Sequence, residues 1–302
     1  MTFRVRPADL PDDSAAILAL AASAEAIDGV GALNEESRLA IQRGAGDSAV
    51  RVAEGDSDET IVGVLVDAEG DGAACDLVTH PEHRRRGVAT ALLAAEAESV
   101  ERYGVWAHGD FESARALAEA LGLERVRDLW QMSREVSPEE TFDVELPEGF
   151  VARPFDGSDD QARAWLDVNA AAFVHHPEQG RMTMDDLRAR MAEEWFEREG
   201  LILVWHEPSG ELAASHWTKR EPGSDTGEVY VVAVAPAYQG RGLAGPLTNL
   251  GLAHLAGLGV HEVELYVEGD NEPAKATYTR RGFHKSAQDV LYVHTGAESL
   301  QR

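Results

Sequence analysis

The chain has 302 residues, 44% hydrophobic and 27% charged, long enough for two cores in domains of about 150 residues. With 54 acidic against 27 basic residues its net charge is -27, a field that repels phosphate backbones and anionic membranes and excludes nucleic acid as an expected partner. The single cysteine, Cys75, excludes an internal disulfide and a cysteine-rich metal site, and with no signal-type apolar region and no apolar run of about 18 residues the chain reads as soluble, cytoplasmic and monomeric.

In chain order, the alternating strand FRVRPAD (3–9) stops at Arg-Pro and is followed by a helix over 14–25 and strands over 49–54, 60–67 and 73–79. A helix over 87–102, a strand over 104–107, a helix over 111–121 and a strand over 126–134 complete this part. The segment EVSPEETFDVELPEG (135–149) holds two prolines and six carboxylates without helical period, which is how a solvated linker reads. It sets a boundary between an N-terminal domain over 1–142 and a C-terminal domain over 143–302. The opening strand then returns as FVARPFD (150–156), followed by helices over 159–173 and 184–196 and strands over 201–206, 211–219 and 227–234. A helix over 242–257, a strand over 261–267, a helix over 271–281 and a strand over 288–294 end the copy. The chain is a tandem duplication of an α+β domain, each copy a mixed, mostly antiparallel sheet flanked by helices.

A glycine turn recurs at the same place in both copies: LVTHPEHRRRGVATALL (77–93) aligns with VAVAPAYQGRGLAGPLT (232–248), Gly87 on Gly242. A strand that passes through such a turn into a helix offers unpaired N–H groups where the helix dipole favours negative charge, and glycine lets an anion approach the backbone. Arg84, Arg85 and Arg86 in the first turn, and Gln239 and Arg241 in the second, add donors. A tight turn with solvated arginines is the bland alternative, and recurrence in two equivalent contexts favours a pyrophosphate cradle. The spacing fits neither a dinucleotide fingerprint nor a P-loop.

These residues resemble the GNAT acetyltransferase superfamily, in which this turn grips the pyrophosphate of coenzyme A. LYVEGDNEPAKATYTRRGF (265–283) is similar to the family's next strand, asparagine turn and helix ending in Tyr-x-x-x-Gly-Phe. Acetyl-CoA is therefore the expected acetyl donor. Acetylating an amine needs a group to remove its proton and another to protonate the departing thiolate. The second copy offers Glu228 and Tyr278 for these roles. In the first, the aligned positions are Ala73 and Ala118, and Asn271 becomes Phe111, so that copy is expected to bind CoA without catalysis. Glu228 also reads as a solvated strand-end carboxylate, and Tyr278 as a tyrosine packed against CoA.

In the second copy, HHPEQG (175–180) lies in a loop between helices. Adjacent His175 and His176 do not face one ion, and no metal is expected. Glu178 suits a sugar hydroxyl or an ammonium, and Lys219 offers donors, although a lysine at a strand end also reads as a surface group. Together HHPEQG, HWTK, GEVYVVAVAP and LYVEGDN resemble the mycothiol synthase family of tandem GNAT enzymes, over nearly the whole chain. That resemblance implies acetyl transfer to the cysteinyl amine of cysteinyl-glucosaminyl-inositol, directly and in a ternary complex. It makes Glu228 the base and Tyr278 the acid, with Glu178, Lys219, Glu228 and Tyr266 around the substrate and Glu35, or its neighbour Glu36, sent from the N-terminal half. The CoA contacts it implies are Val232, Ala233, Val234, Gln239, Gly240, Arg241, Gly242, Leu243, Ala244, Gly245, Asn271, Glu272, Pro273, Ala274, Lys275 and Ala276. In the first copy they are Leu77, Val78, Thr79, Arg84, Arg85, Arg86, Gly87, Val88, Ala89 and Thr90. Ala244 stands where many relatives have glycine. Two other readings remain open: a tandem GNAT enzyme for another small amine, and a non-catalytic acyl-CoA-binding protein.

Overall fold

A computed structural model describes residues 3–44, 49–55, 60–67, 74–174 and 180–294. The first copy builds β1 (Arg4–Pro7), α1 (Ser14–Asp28), α2 (Glu35–Arg43), β2 (Ala49–Glu54), β3 (Ile61–Asp67), β4 (Cys75–Thr79), α3 (Val88–Ala97), β5 (Tyr103–Ala107), α4 (Glu112–Leu121) and β6 (Glu124–Glu135). The second builds β7 (Phe150–Pro154), α5 (Asp159–Ala172), α6 (Met184–Met191), β8 (Leu201–His206), β9 (Glu211–Lys219), β10 (Thr226–Val234), α7 (Ala244–Gly257), β11 (Glu262–Glu268), α8 (Glu272–Thr279) and β12 (His284–His294). Among the described residues no helix is long and apolar enough to cross a membrane.

The chain folds as two compact units, residues 1–130 with 287–302 and residues 131–286. In unit 1 the strand order is β1-β2-β3-β4-β5-β12, antiparallel except for β4 beside β5. The β-branched run of β3 is buried along its whole length because helices cover both its faces. Ile17, Leu20 and Ala24 of α1 pack with Val52, Val64 and Val78 on one side, and Leu92 and Leu93 of α3 with Leu65, Tyr103 and Val290 on the other. Unit 2 repeats the plan with the order β6-β11-β10-β9-β8-β7, and here β10 and β11 are parallel. Trp165 of α5 and Leu187 of α6 pack on Trp217 and Val231, while Leu243 and Leu247 pack on Val204 and Ala214 from the opposite face.

The units do not follow the boundary expected at 142/143. Each copy gives its last strand to the other copy's unit: Val290–His294 of β12 pair with Tyr103–Ala107 of β5, while β6 from Gln131 onward belongs with β11. The acidic segment after β6 is irregular, as its composition requires, but it lies against unit 2, where Asn249 Nδ2 donates to the Asp143 carbonyl at 2.6 Å. Composition marks where the chain is solvated, not where its contacts divide. The helix α2 is an addition to the expected elements, started by Asn34, whose side chain accepts from the Ser37 N–H at 2.8 Å.

Candidate active site

Both glycine turns have one backbone shape. Each begins with a short 3-10 turn opened by proline, at Pro81–His83 and Pro236–Tyr238. Two positive φ angles then bring the chain into the helix: Arg85 at 61° and Gly87 at 90° in unit 1, Gly240 at 75° and Gly242 at 81° in unit 2. The left-handed backbone matches position for position even where arginine replaces glycine. It leads directly into α3 and α7, whose first N–H groups have no carbonyl of their own helix to bond, the arrangement that can hold an anion. In unit 2 the Arg241 guanidinium lies 4.9 Å from the centre of the Tyr238 ring, which holds it beside the turn. In unit 1 Arg84 is already clasped by Asp28, with Nη1 and Nη2 donating to the two carboxylate oxygens at 2.7 and 2.6 Å.

The strands leading to each turn open a gap in the sheet. The parallel ladder between β10 and β11 covers Thr226–Val229 and ends there, although β10 runs on to Val234. In unit 1 the ladder between β4 and β5 covers Cys75 and Asp76, and Leu77–Thr79 lie beyond it. The expected cofactor residues 232–234 and 77–79 therefore sit where neighbouring strands part, just before the cradle.

Glu228 stands at the start of the gap in unit 2. Its partners in register are Lys219 on β9 and Glu264 on β11. Lys219 is not a surface lysine: its side chain is 13% exposed, with Nζ 5.0 Å from the Trp195 ring centre, 5.5 Å from that of Tyr230 and 3.2 Å from a Glu221 carboxylate oxygen. Tyr230 occupies a bulge between Val229 and Val231, and its hydroxyl accepts from Arg190 Nε at 2.9 Å. No such break interrupts the β3–β4 register, so the bulge moves the equivalent of Glu228 from Ala73, outside the described residues, to Ala74. Alanine stands there in either case. Tyr266, two residues beyond Glu264 on the same face of β11, is 46% exposed.

Tyr278 is carried by α8, which Arg281 braces against α7 by donating from Nε to the Gly245 carbonyl at 3.1 Å and to Asn249 Oδ1 at 3.0 Å. Burial pushes the Tyr278 hydroxyl up to about 12, with the Arg281 guanidinium working the other way, so it keeps its proton throughout the neutral range. Asn271 caps α8 by accepting from the Ala274 N–H at 3.2 Å. The Lys275 ammonium is engaged by the Gly269 carbonyl and, at 2.7 Å, by Glu272.

Unit 1 has a cavity of about 760 Å³ that reaches Leu77–Thr79, Arg84, Arg85 and Gly87–Thr90, nearly every cofactor position expected there; Arg86 does not line it. Its wall includes His108, whose Nε2 lies 3.1 Å from Asp76 and Nδ1 2.9 Å from Asp289. Burial would lower this imidazole, but the Asp76 charge and the hydrogen bonds to both carboxylates outweigh it and push it up to about 10. Sequence reasoning missed this trio, because its members lie far apart and belong to no spacing pattern.

Glu35 is the first residue of α2 in unit 1, while Glu178, His175 and His176 lie outside the described residues. Among the described residues, Asp67, Cys75 and Glu96 form one buried group whose potential ligand atoms lie within 4.8 Å of one another. A guanidinium already faces that group, as Arg51 Nε donates to Glu96 at 2.8 Å.

Family models match each half: the acetyltransferase (GNAT) family over residues 163–283 and an acetyltransferase (GNAT) domain over residues 46–124. The mycothiol acetyltransferase of Kytococcus sedentarius is 47% identical over 286 residues, 93% of this chain and 94% of that protein. The mycothiol acetyltransferase of Streptomyces bingchenggensis is 44% identical over 91% of each chain. The chain belongs to the mycothiol acetyltransferase family. Members of the mycothiol acetyltransferase family match it nearly end to end, so both GNAT copies fall within the likeness. Solved structures share the fold. A GCN5-related N-acetyltransferase from Sphaerobacter thermophilus has a TM-score of 0.71 at 23% identity, covering 97% of this chain and 95% of that one. A tandem GNAT protein from the clavulanic acid biosynthesis pathway has a TM-score of 0.71 at 18% identity, covering 98% and 100%.

Proposed function

We propose that this chain moves the acetyl group of acetyl-CoA to the cysteinyl amine of cysteinyl-glucosaminyl-inositol, the last step of mycothiol biosynthesis, in unit 2. The carrying observation is that the β10–β11 ladder parts at Val229, one residue past Glu228, and that the parted strand leads into the Gln239–Gly245 cradle. The curated mycothiol acetyltransferases support the choice of acceptor.

Acetyl-CoA, when bound, supplies the thioester. Its pyrophosphate suits the N–H groups of the turn and Arg241, and the edge of Val232–Val234 that lies beyond the β10–β11 ladder suits the amide-bearing arm. An α-ammonium with a pKa of about 8 arrives mostly protonated at neutral pH, and Glu228 takes its proton. Tyr278, fully protonated in this range, holds the proton for the departing sulfur. Transfer is direct, since the lone Cys75 is buried in unit 1 and gives no nucleophile for an acyl-enzyme. Unit 1 keeps the cradle and the cavity without counterparts of Glu228 and Tyr278, and we assign it acyl-CoA binding without turnover.

The test is CoA release from acetyl-CoA with cysteinyl-glucosaminyl-inositol as acceptor. Glu228→Gln and Tyr278→Phe should each lower kcat by about 10²- to 10⁴-fold. An intact chain that binds acetyl-CoA yet turns over other small amines and not this acceptor would sink the proposal.

A further inference from the structure

Glu264 belongs to neither the repeat motifs nor the residues that the family resemblance implies, yet it sits beside the candidate base. It is the direct partner of Glu228 in the parallel ladder, and Lys219 is the partner of Glu228 on the other side, so one row across β9, β10 and β11 reads Lys219, Glu228, Glu264. Neighbouring strands lie about 5 Å apart, and two carboxylates at that spacing repel unless a cation meets them. The Lys219 ammonium is shared with the Glu221 carboxylate and two aromatic rings. Burial raises the Glu264 carboxyl above its usual range, Gln131 opposes this, Glu262 adds to it and Lys219 opposes it. The row counts two carboxylates to one ammonium, a composition that suits a cationic group arriving from solution.

Gln131 fixes Glu264 in place, its Nε2 donating to Oε2 at 2.7 Å. This glutamine comes from β6, the strand that the first copy gives to unit 2. The duplication provides an internal comparison. With the bulge counted, Glu264 aligns with Gly104, whose partner on β12 is Val293, and Leu291, Tyr292 and Val293 offer no glutamine there. Both members of the pair are therefore missing from the copy that also lacks the counterparts of Glu228 and Tyr278.

We infer that Glu264 is a further substrate-binding residue, a second carboxylate that holds the incoming ammonium beside Glu228, and that Gln131 is the positioning residue that keeps it there. The inference rests on the acetyltransferase reading above. No new bond is involved: the ammonium passes its proton to Glu228, and Glu264 keeps its charge. The groups that bear on Glu264 are its ladder partner Glu228 from β10, Lys219 from β9, Glu262 from its own strand and Gln131 from β6, while Tyr266 and Glu268 share its face of β11.

The experiment compares the full chain with Glu264→Gln, Glu264→Asp and Gln131→Leu, using acetyl-CoA and cysteinyl-glucosaminyl-inositol across a range of pH. Glu264→Gln should raise KM for the amine about tenfold, the worth of one charge-assisted hydrogen bond, while KM for acetyl-CoA stays within about twofold. Removing the neighbouring negative charge should also move the acid limb of kcat/KM to lower pH. Gln131→Leu should shift the amine KM in the same direction by less, and Glu264→Asp should recover most of the loss. Unchanged amine KM and pH profile in Glu264→Gln, or KM raised equally for both substrates, would overturn the inference. If Glu264→Gln does not fold, the same KM split in Gln131→Leu supports the inference and its absence overturns it. An intact chain inactive on this acceptor removes the underlying reading instead.

Discussion

His216, fully buried, and His108, in a cavity wall, titrate in opposite directions, because one faces apolar packing and the other faces two carboxylates. His216 on β9 donates from Nδ1 to the Leu247 carbonyl at 2.9 Å, and its buried Nε2 meets no hydrogen-bond partner among the described residues. It packs so tightly on α7 that a Cβ at Gly251 would lie 2.0 Å from its ring. Burial, opposed by that carbonyl and aided by His254, pushes it down to about 4. Because this lies below the ordinary 6.5, the stability tied to neutral His216 is complete above pH 6.5 and is lost as pH falls towards 4. The slope reaches about 1.4 kcal/mol per pH unit. His216→Leu should flatten this acid limb in denaturant melts; an unchanged limb would show that other groups carry it. For His108, raised to about 10, the sign reverses: its contribution is complete below 6.5 and fades as pH rises through 10. His108→Ala, leaving the buried Asp76 carboxylate without its cation and held only by Asn34, should destabilise unit 1 by about 3–5 kcal/mol in equilibrium unfolding. Neither histidine's role was legible beforehand, since one depends on a helix crossing a strand and the other on Asp76 and Asp289, which stand far apart in sequence.

The glycine turn was legible because strand, turn and helix are contiguous in sequence and occur twice. Its backbone also explains which substitutions it tolerates. Arg85 holds φ 61° where Gly240 holds 75°, and a Cβ at Gly240 would meet nothing within 4 Å. Gly240→Ala should therefore cost only the backbone strain of a left-handed residue, about 1–2 kcal/mol, with acetyl-CoA binding retained. Gly242→Val, a β-branched residue at φ 81°, should destabilise by about 1–2 kcal/mol and weaken acetyl-CoA binding in calorimetry. Other elements were hidden for physical reasons. The bulge at Tyr230 leaves the alternation of β10 readable but shifts the alignment by one, which is why Glu228 first fell on Ala73. The helix α2 is short and rests on the Asn34 cap and the contact of the Asn34 N–H with Asp76 at 2.7 Å. Glu264 read as one more acidic residue in an acidic chain until the ladder placed it opposite Glu228.

At the scale of the chain, the exchange of last strands could not be read from sequence, because an alternating strand over 126–134 or 288–294 has the same pattern whichever sheet it joins. It predicts how the chain responds to being cut. A fragment starting at 143 lacks β6, leaves β11 without that neighbour and carries β12 without β5. Expressed alone, each half should aggregate or self-associate through its open edge, and co-expression of 1–142 with 143–302 should restore a soluble pair with acetyl-CoA turnover. A monomeric, fully active 143–302 fragment on size exclusion would contradict this. The exchange also bears on heredity. The first copy has alanine at the positions aligned with Glu228 and Tyr278, yet a deletion that discarded it would take Gln131 and its strand from unit 2. Shedding residues 1–142 would therefore strip a strand from the sheet that carries Glu228, which binds the two copies to descend as a single gene.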